Sequence, residues 1–344
     1  MTNLRQNVLL TGATGFIGTY VTRELLSQGF TVYAMVRNKN RLLQSLGNEH
    51  GDRLLMLQGD LLSTPDLHGL QQKLAALDRL DVVIHTVGGG PLSSNPKFAA
   101  EIFDLNLKTT SNLLSLLEAS GRLSFLSLFV YFSSLAAMGV PRAPGNTIFY
   151  NETASCEPLL PYEQAKLRTE EFLSETTAKH KFRTVVLRFP QVYGDNNDAL
   201  AQMIGLIRRG IFPVVRGRMG SLPLLHVRDA AKATCAVVRN HESVPGRYDV
   251  NLLSEKSYSY EDVRDLVREK YGTARLVTLP YPVLYVLVLV LEIMFRMFGK
   301  PEPLNRHRLL SMTKKRVVDC GKFVQRFGYH FDQNLATFVF NGKT

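Results

Sequence analysis

Three glycines spaced three apart, Gly12, Gly15 and Gly18 in TGATGFIG, follow a short apolar run, Val8-Leu9-Leu10. They open a segment of helical spacing in which Ile17, Val21, Leu25 and Leu26 share one face. Few folds take a strand through such a cluster straight into a helix. One glycine allows a tight turn, a second lets the backbone approach a pyrophosphate, and a third lets the helix pack hard on the strand. The start of the helix offers free N–H groups and the positive end of its dipole to phosphates. The motif alone is weak evidence, but here it stands between a strand and a helix, as the mechanism requires.

The alternation continues over about the first 190 residues. Residues 31–36, 53–57, 81–85, 126–133 and 184–188 read as strands, and residues 16–28, 67–80, 106–120 and 161–179 as helices. Unbroken apolar runs such as LFVYF suit parallel strands buried on both faces. The fold class is therefore α/β, a Rossmann-type doubly wound parallel sheet over 1–190 that carries the catalytic residues. Beyond it Gly, Pro and Arg become frequent, as in RRGIFPVVRGRMGSLPLL. Residues 191–344 read as a smaller, mixed substrate-binding region, with some strands and helices returning to the main sheet.

In such a fold the second strand ends near the adenosine ribose, where an acid favours NAD and an arginine accommodates the 2′-phosphate of NADP. No acid occurs between Glu24 and Glu49, while Arg37, Lys39 and Arg41 cluster there. The expected cofactor is NADP in preference to NAD, with Arg37 as the phosphate contact.

TGATGFIG, GDL at 59–61, VIH at 83–85, LNLKTTSNLL from 105, YFSSLAAMG from 131, YEQAK from 162 and LRFPQVYG from 187 occur in this order. That succession resembles the extended short-chain dehydrogenase/reductases, the NAD(P)-dependent epimerase/dehydratase type. It looks closest to members similar to 3β-hydroxysteroid dehydrogenases. The resemblance covers about residues 7–235.

The chemistry can also be argued from the side chains. Tyr162 and Lys166 are four apart on a helix and share a face. A phenol titrates near 10, and bringing it near neutrality takes about 4 kcal/mol, which a neighbouring ammonium can supply. Tyr162 then suits general acid–base work. Tyr150 competes but has Ala154, not lysine, four residues on. Ser134 follows a buried strand and would orient a substrate oxygen. It is preferred to Ser133 because it stands five residues before Gly139, as in the family's S-x-x-x-x-G turn.

The resemblance implies further roles. Thr14, Phe16 and Ile17 join the three glycines as cofactor contacts. Asp60 would meet the adenine, with Leu61 beside it. His85 to Gly88 would line the cofactor, and Lys166 would also hold the nicotinamide ribose. Asn106 would support the proton relay, while Arg188 to Val192, including Pro190, would close over the nicotinamide. His226-Val227-Arg228-Asp229 would frame the substrate region. The reaction is hydride transfer between the nicotinamide and a secondary alcohol or ketone.

Charge bears on partners. There are 41 Lys/Arg against 30 Asp/Glu, a net +11. From Gly299 onward nine Lys/Arg face three acids, so +6 of that excess lies beside an apolar segment, 279–298. Its uncharged run between Arg275 and Glu292 is 16 residues, short of a spanning helix. It reads as a buried or substrate-lining helix, or as an interfacial membrane segment backed by basic residues. Nucleic acid is excluded as a partner: there is no Trp, no recognisable binding motif, and the cations are not interleaved with stacking aromatics. Cys156, Cys235 and Cys320 lie far apart with no C-x-x-C, so neither disulfides nor a metal site are expected.

No secretory signal is seen at the N-terminus, so the expected location is cytoplasmic, or peripheral on a membrane. The expected substrate is a lipophilic small molecule, and a homodimer is usual in the superfamily. The alternatives are a nucleotide-sugar epimerase or dehydratase, with Arg208, Arg209, Arg216 and Arg218 on the diphosphate, and a non-catalytic NADP-binding subunit.

Overall fold

The computed structural model describes residues 6–47, 51–141, 145–195, 198–218 and 220–341; Lys343, one of the nine C-terminal cations, lies outside them. The N-terminal part alternates as β1 (Asn7–Thr11), α1 (Phe16–Ser27), β2 (Thr31–Val36), α2 (Lys39–Leu46), β3 (Leu54–Gln58), α3 (Thr64–Ala75) and β4 (Val82–His85). It continues with α4 (Ala99–Phe103), α5 (Thr109–Ala119), β5 (Leu128–Ser134), β6 (Thr147–Tyr150), α6 (Pro161–Lys179), β7 (Arg183–Phe189) and β8 (Gln191–Tyr193). Then follow α7 (Asp198–Arg208), β9 (Phe212–Val215), β10 (Ser221–His226), α8 (Val227–Asn240), β11 (Tyr248–Leu252), β12 (Lys256–Ser259) and α9 (Tyr260–Tyr271). The last elements are β13 (Leu276–Leu279), α10 (Tyr281–Met297), α11 (Arg306–Met312), β14 (Lys315–Val318), α12 (Gly321–Phe327) and α13 (Leu335–Asn341).

The main sheet has seven strands in the order β11-β7-β5-β4-β1-β2-β3, and every pairing is parallel. Chain order reverses between β1 and β4, and open α/β sheets bind ligands outside the carboxyl ends of the strands at such a switch point. Both faces are covered. Val8 and Leu10 pack into one apolar layer with α1 and α8, and Leu9 into the other with α3 and α5. All three are fully buried. Each contributes roughly 1.5–3 kcal/mol relative to exposure, which explains why this strand is apolar without alternation.

Residues beyond 190 do return to the sheet: β11 is its edge strand and α8 packs on α1. Much of the remainder, joined by β6 from before residue 190, builds a lobe from three small sheets, β12-β10-β8, β13-β9 and β14-β6. Where the apolar segment 279–298 was expected as one unit, Leu279 ends β13. Pro280 then caps α10, whose second residue is also a proline.

The helix expected from Asn106 begins earlier, at Ala99, and continues through a wide π-turn at Asp104–Lys108. Asn106 Nδ2 donates to Ile102 O at 2.7 Å and to Gly89 O at 2.8 Å, so a side chain takes carbonyls inside the turn and the regular period is broken.

Candidate active site

A cleft of about 530 Å³ opens at the switch point, lined by residues from the ends of β1, β2, β4, β5 and β7. Its floor is the glycine loop. A Cβ on Gly18 would collide with the Gly12 carbonyl, so only glycine lets α1 start this close to β1. Gly15 caps α1 without any side chain on the first N–H groups, and no acid occupies the first turn. Those donors are left for an anion. Gly12, Thr14, Gly15, Phe16, Ile17 and Gly18 all line the cleft. A strand end, bare helix donors and a cradle that Cβ atoms would fill together suit a dinucleotide pyrophosphate.

At one end stand Arg37, Asp60 and Leu61. Arg37 is highly exposed and lies 3.7 Å from Asp60 Oδ2. Asn38 caps α2 by accepting from Arg41 N, which fixes the turn that carries Arg37. Lys39 and Arg41 are exposed and do not line the cleft.

At the other end Ser134, Tyr162, Lys166, Pro190 and Val192 meet. α6 is held at its start by Glu163, whose Oε2 accepts from Leu159 N at 2.9 Å and Leu160 N at 3.1 Å. Tyr162 therefore sits in the first turn. Its hydroxyl is hydrogen-bonded with Ser134, and burial raises its pKa while that bond opposes the rise. Lys166 lies a turn further on, with Nζ 5.9 Å from the Tyr162 ring centre. It donates to Phe132 O at 2.8 Å and to Tyr131 Oη at 3.3 Å. Burial pulls its pKa down to about 7, and Glu170 opposes the fall. Desolvation thus favours the neutral form of both groups, in place of the ammonium–phenolate pair expected from spacing alone. Tyr150 is buried away from the cleft and donates to Gly139 O.

Asn106 is fully buried and does not line the cleft directly. Its Oδ1 has no hydrogen-bond partner among the described residues, and a Cβ on Gly88 would lie 2.7 Å from both this oxygen and Lys166 Nζ. The glycine lets an unsatisfied acceptor and the amine share one small space at the cleft edge.

His85 is the site residue that the structure moves elsewhere. It is fully buried, its Nδ1 lies 2.7 Å from Thr11 Oγ1, and its ring stacks on Tyr131. Burial drives its pKa down to about 3, with Lys166 adding to the fall. It ends β4, and strand alternation turns it into the sheet, while the next residues, Thr86, Val87 and Gly88, line the cleft. Its side chain packs inside the fold and does not line the cleft.

Behind the cleft lies an ion pair that spacing could have revealed. Glu170 is on the same face of α6 as Tyr162 and Lys166, eight and four residues on. It accepts from Ser133 Oγ at 2.5 Å and from Arg188 Nη2 at 2.6 Å and Nε at 3.0 Å, all buried. Arg188 consequently supports the site from behind, while Pro190 and Val192 reach the cleft. Ser133 is committed to Glu170, leaving Ser134 beside Tyr162.

His226 caps α8 by accepting from Arg228 N, and Asp229 is buried and accepts from Tyr329 Oη. Both are held within the C-terminal region. That region reaches the catalytic helix through His307, 3.0 Å from Glu163 Oε1, and the 89–98 loop through Glu302, which binds Ser93, Ser94 and Asn305. Arg208, Arg209, Arg216 and Arg218 are exposed and do not line the cleft. The three cysteines are free, with burial raising each thiol, and no metal-binding group occurs among the described residues.

Residues 8–252 match the family described as NAD dependent epimerase/dehydratase. A Dictyostelium discoideum protein named sterol-4-alpha-carboxylate 3-dehydrogenase, decarboxylating, is 25% identical over 331 residues, covering 94% of this chain and 96% of its own length. A UDP-glucose 4-epimerase from Pisum sativum is 28% identical over 232 residues, covering 64% of this chain and 63% of its own. Among solved structures, the UDP-glucose 4-epimerase of Thermotoga maritima with UDP-glucose matches with a TM-score of 0.72 at 18% identity, covering 97% of this chain and 96% of that one. The UDP-glucuronic acid 4-epimerase of Bacillus cereus with NAD matches with a TM-score of 0.72 at 19% identity, with the same coverage. These structural likenesses speak for the fold.

Proposed function

The chain belongs to the NAD-dependent epimerase/dehydratase family and is an enzyme; on that premise we propose that it moves hydride between a nicotinamide and a secondary alcohol or ketone of a lipophilic, sterol-like molecule. The observation that carries the substrate class is the composition of the reacting end of the cleft. Phe132, Phe189, Pro190 and Val192 line the cleft together with Ser134 and Tyr162, and the cations lining it among the described residues are Lys166 and Arg37 alone. The substrate diphosphate of a nucleotide sugar would be favoured by charge-assisted contacts beyond the glycine loop, and the four arginines considered for that role lie outside the cleft. The full-length match to the sterol-directed relative supports the same reading, since it spans the C-terminal lobe as well.

The nicotinamide, when bound, supplies or accepts the hydride. Tyr162 Oη donates a proton to the developing alkoxide in reduction and takes it from the alcohol in oxidation. Ser134 orients the substrate oxygen against Tyr162. Lys166, fixed by Phe132 O and Tyr131, presents its amine at the edge shared with Asn106, where it can hold a ribose hydroxyl and return a proton toward Tyr162. The apolar walls exclude water from the reacting carbon. We further propose NADP as the preferred cofactor: Arg37 faces the cleft with its guanidinium exposed, at the strand end where a 2′-phosphate would sit. A panel of sterols, flavonols and nucleotide sugars, assayed by nicotinamide absorbance with both cofactors, tests the reading. Turnover of sterol-type alcohols with NADP supports it, and turnover confined to nucleotide sugars overturns it.

A further inference from the structure

α10 carries its one acid on the inside and a row of apolar side chains on the outside. Glu292 is buried, with Oε2 accepting from Arg306 Nε at 2.9 Å, and Leu284 and Val288 pack beside it against Val215 and Leu309. On the opposite face Val286, Leu287, Val290 and Ile293 are 50–58% exposed, and the run ends with Met297 at 81% and Phe298 at 73%. The spacing keeps these side chains on one stripe along the helix. A soluble surface rarely leaves so continuous an aliphatic strip uncovered. The helix has 17 residues, and among the described residues none is long and apolar enough to cross a membrane. Its inner face is committed to the fold, so it can only lie flat.

The charge around the stripe identifies what covers it. Exposed Arg296 and Lys300 flank its C-terminal end, and Lys97 lies against Gly299 at the same end. At the other end Arg216 is exposed, and its backbone N–H donates to Leu279 O at 2.8 Å. The acids nearest in sequence, Glu292 and Glu302, are buried and engaged. A second copy meeting this face in either direction would set like charges against each other at both ends. Anionic headgroups complement both ends, while acyl chains take the strip between them.

We propose that α10 docks the enzyme on the surface of an anionic lipid bilayer, with the stripe from Val286 to Phe298 seated at the headgroup–acyl boundary. The helix belongs to the lobe whose Glu302 and His307 contacts reach the 89–98 loop and the catalytic helix. Docking therefore holds the substrate side of the molecule next to the phase in which a lipophilic substrate dissolves.

The proposal is independent of the substrate reading, because vesicle binding is measured without turnover. The full chain is centrifuged with phosphatidylcholine vesicles and with vesicles containing phosphatidylserine, at low and high salt. Wild type is expected to bind the phosphatidylserine vesicles and to be released by salt. Leu287→Asp/Val290→Asp/Ile293→Asp should weaken binding at least ~10-fold while nicotinamide dinucleotide affinity and Tm stay unchanged. Arg296→Glu/Lys300→Glu should lose roughly fivefold or more per cation on anionic vesicles only. Absence of wild-type binding to either vesicle overturns the proposal. So does a concentration-dependent dimer in gel filtration that the triple variant converts to monomer, which would make the stripe an interface between copies.

Discussion

Replacing Arg188 by Met removes the cation from a buried site and leaves the Glu170 carboxylate behind, with side-chain exposures of only 6% and 3% for the two partners. Three guanidinium hydrogen bonds vanish, and among the described residues Ser133 is the remaining side-chain donor to the carboxylate. An uncompensated buried charge of this kind costs about 3–5 kcal/mol. For 344 residues, an unfolding entropy of about 2.1 cal/mol/K per residue gives about 0.7 kcal/mol/K, so Tm should fall by about 4–7 °C. Glu170→Met/Arg188→Met, which removes both charges, should recover most of the loss. Urea unfolding and calorimetry of the three proteins read the result. A single-variant deficit below about 1 kcal/mol, or a double variant no more stable than the single, would refute the view that this pair is held by mutual compensation in a low-dielectric site.

Arg37→Glu should weaken NADP by at least ~10-fold while leaving NAD within about twofold, since only the 2′-phosphate loses its partner; equal losses in fluorescence titrations would remove Arg37 from that role. Lys166 titrates near 10.4 when unfolded and near 7 in the fold. Between those values the unfolded chain binds a proton that the native protein does not, so this residue makes stability rise with pH across the window. Lys166→Met should flatten that rise, and an unchanged slope in chemical denaturation from about pH 7 to about pH 9 would contradict the burial argument.

The elements that determine the cleft were legible because local chemistry determines them. The glycine spacing marks the β1–α1 turn, and Pro161 together with Glu163 marks the first turn of α6, whose bounds match the expected residues 161–179. A motif names a segment while strand alternation decides which of its side chains faces the cleft, so His85 packs inside and Thr86 to Gly88 line it. Ala99 to Phe103 escaped notice because the π-turn around Asn106 interrupts the helical period. The C-terminal lobe was illegible for another reason. Its pairings join Thr147–Tyr150 to Lys315–Val318 and Phe212–Val215 to Leu276–Leu279, and no local pattern encodes partners so far apart. In α10 a nearly uniform apolar run gives no clue to its inner face; Glu292 turns inward because Arg306 meets it there. Glu170 was readable in principle, one turn beyond Lys166, but its partner Arg188 lies on a different strand.

On the proposed function the Tyr162 hydroxyl, set by Ser134 and backed by Lys166, moves the proton that accompanies hydride transfer. The most direct test is the turnover of an accepted sterol-type alcohol by Tyr162→Phe, measured by nicotinamide absorbance alongside cofactor binding. A fall in kcat of roughly 10²–10⁴-fold is expected, with dinucleotide affinity unchanged. A Tyr162→Phe enzyme that keeps wild-type kcat on every accepted substrate would contradict it.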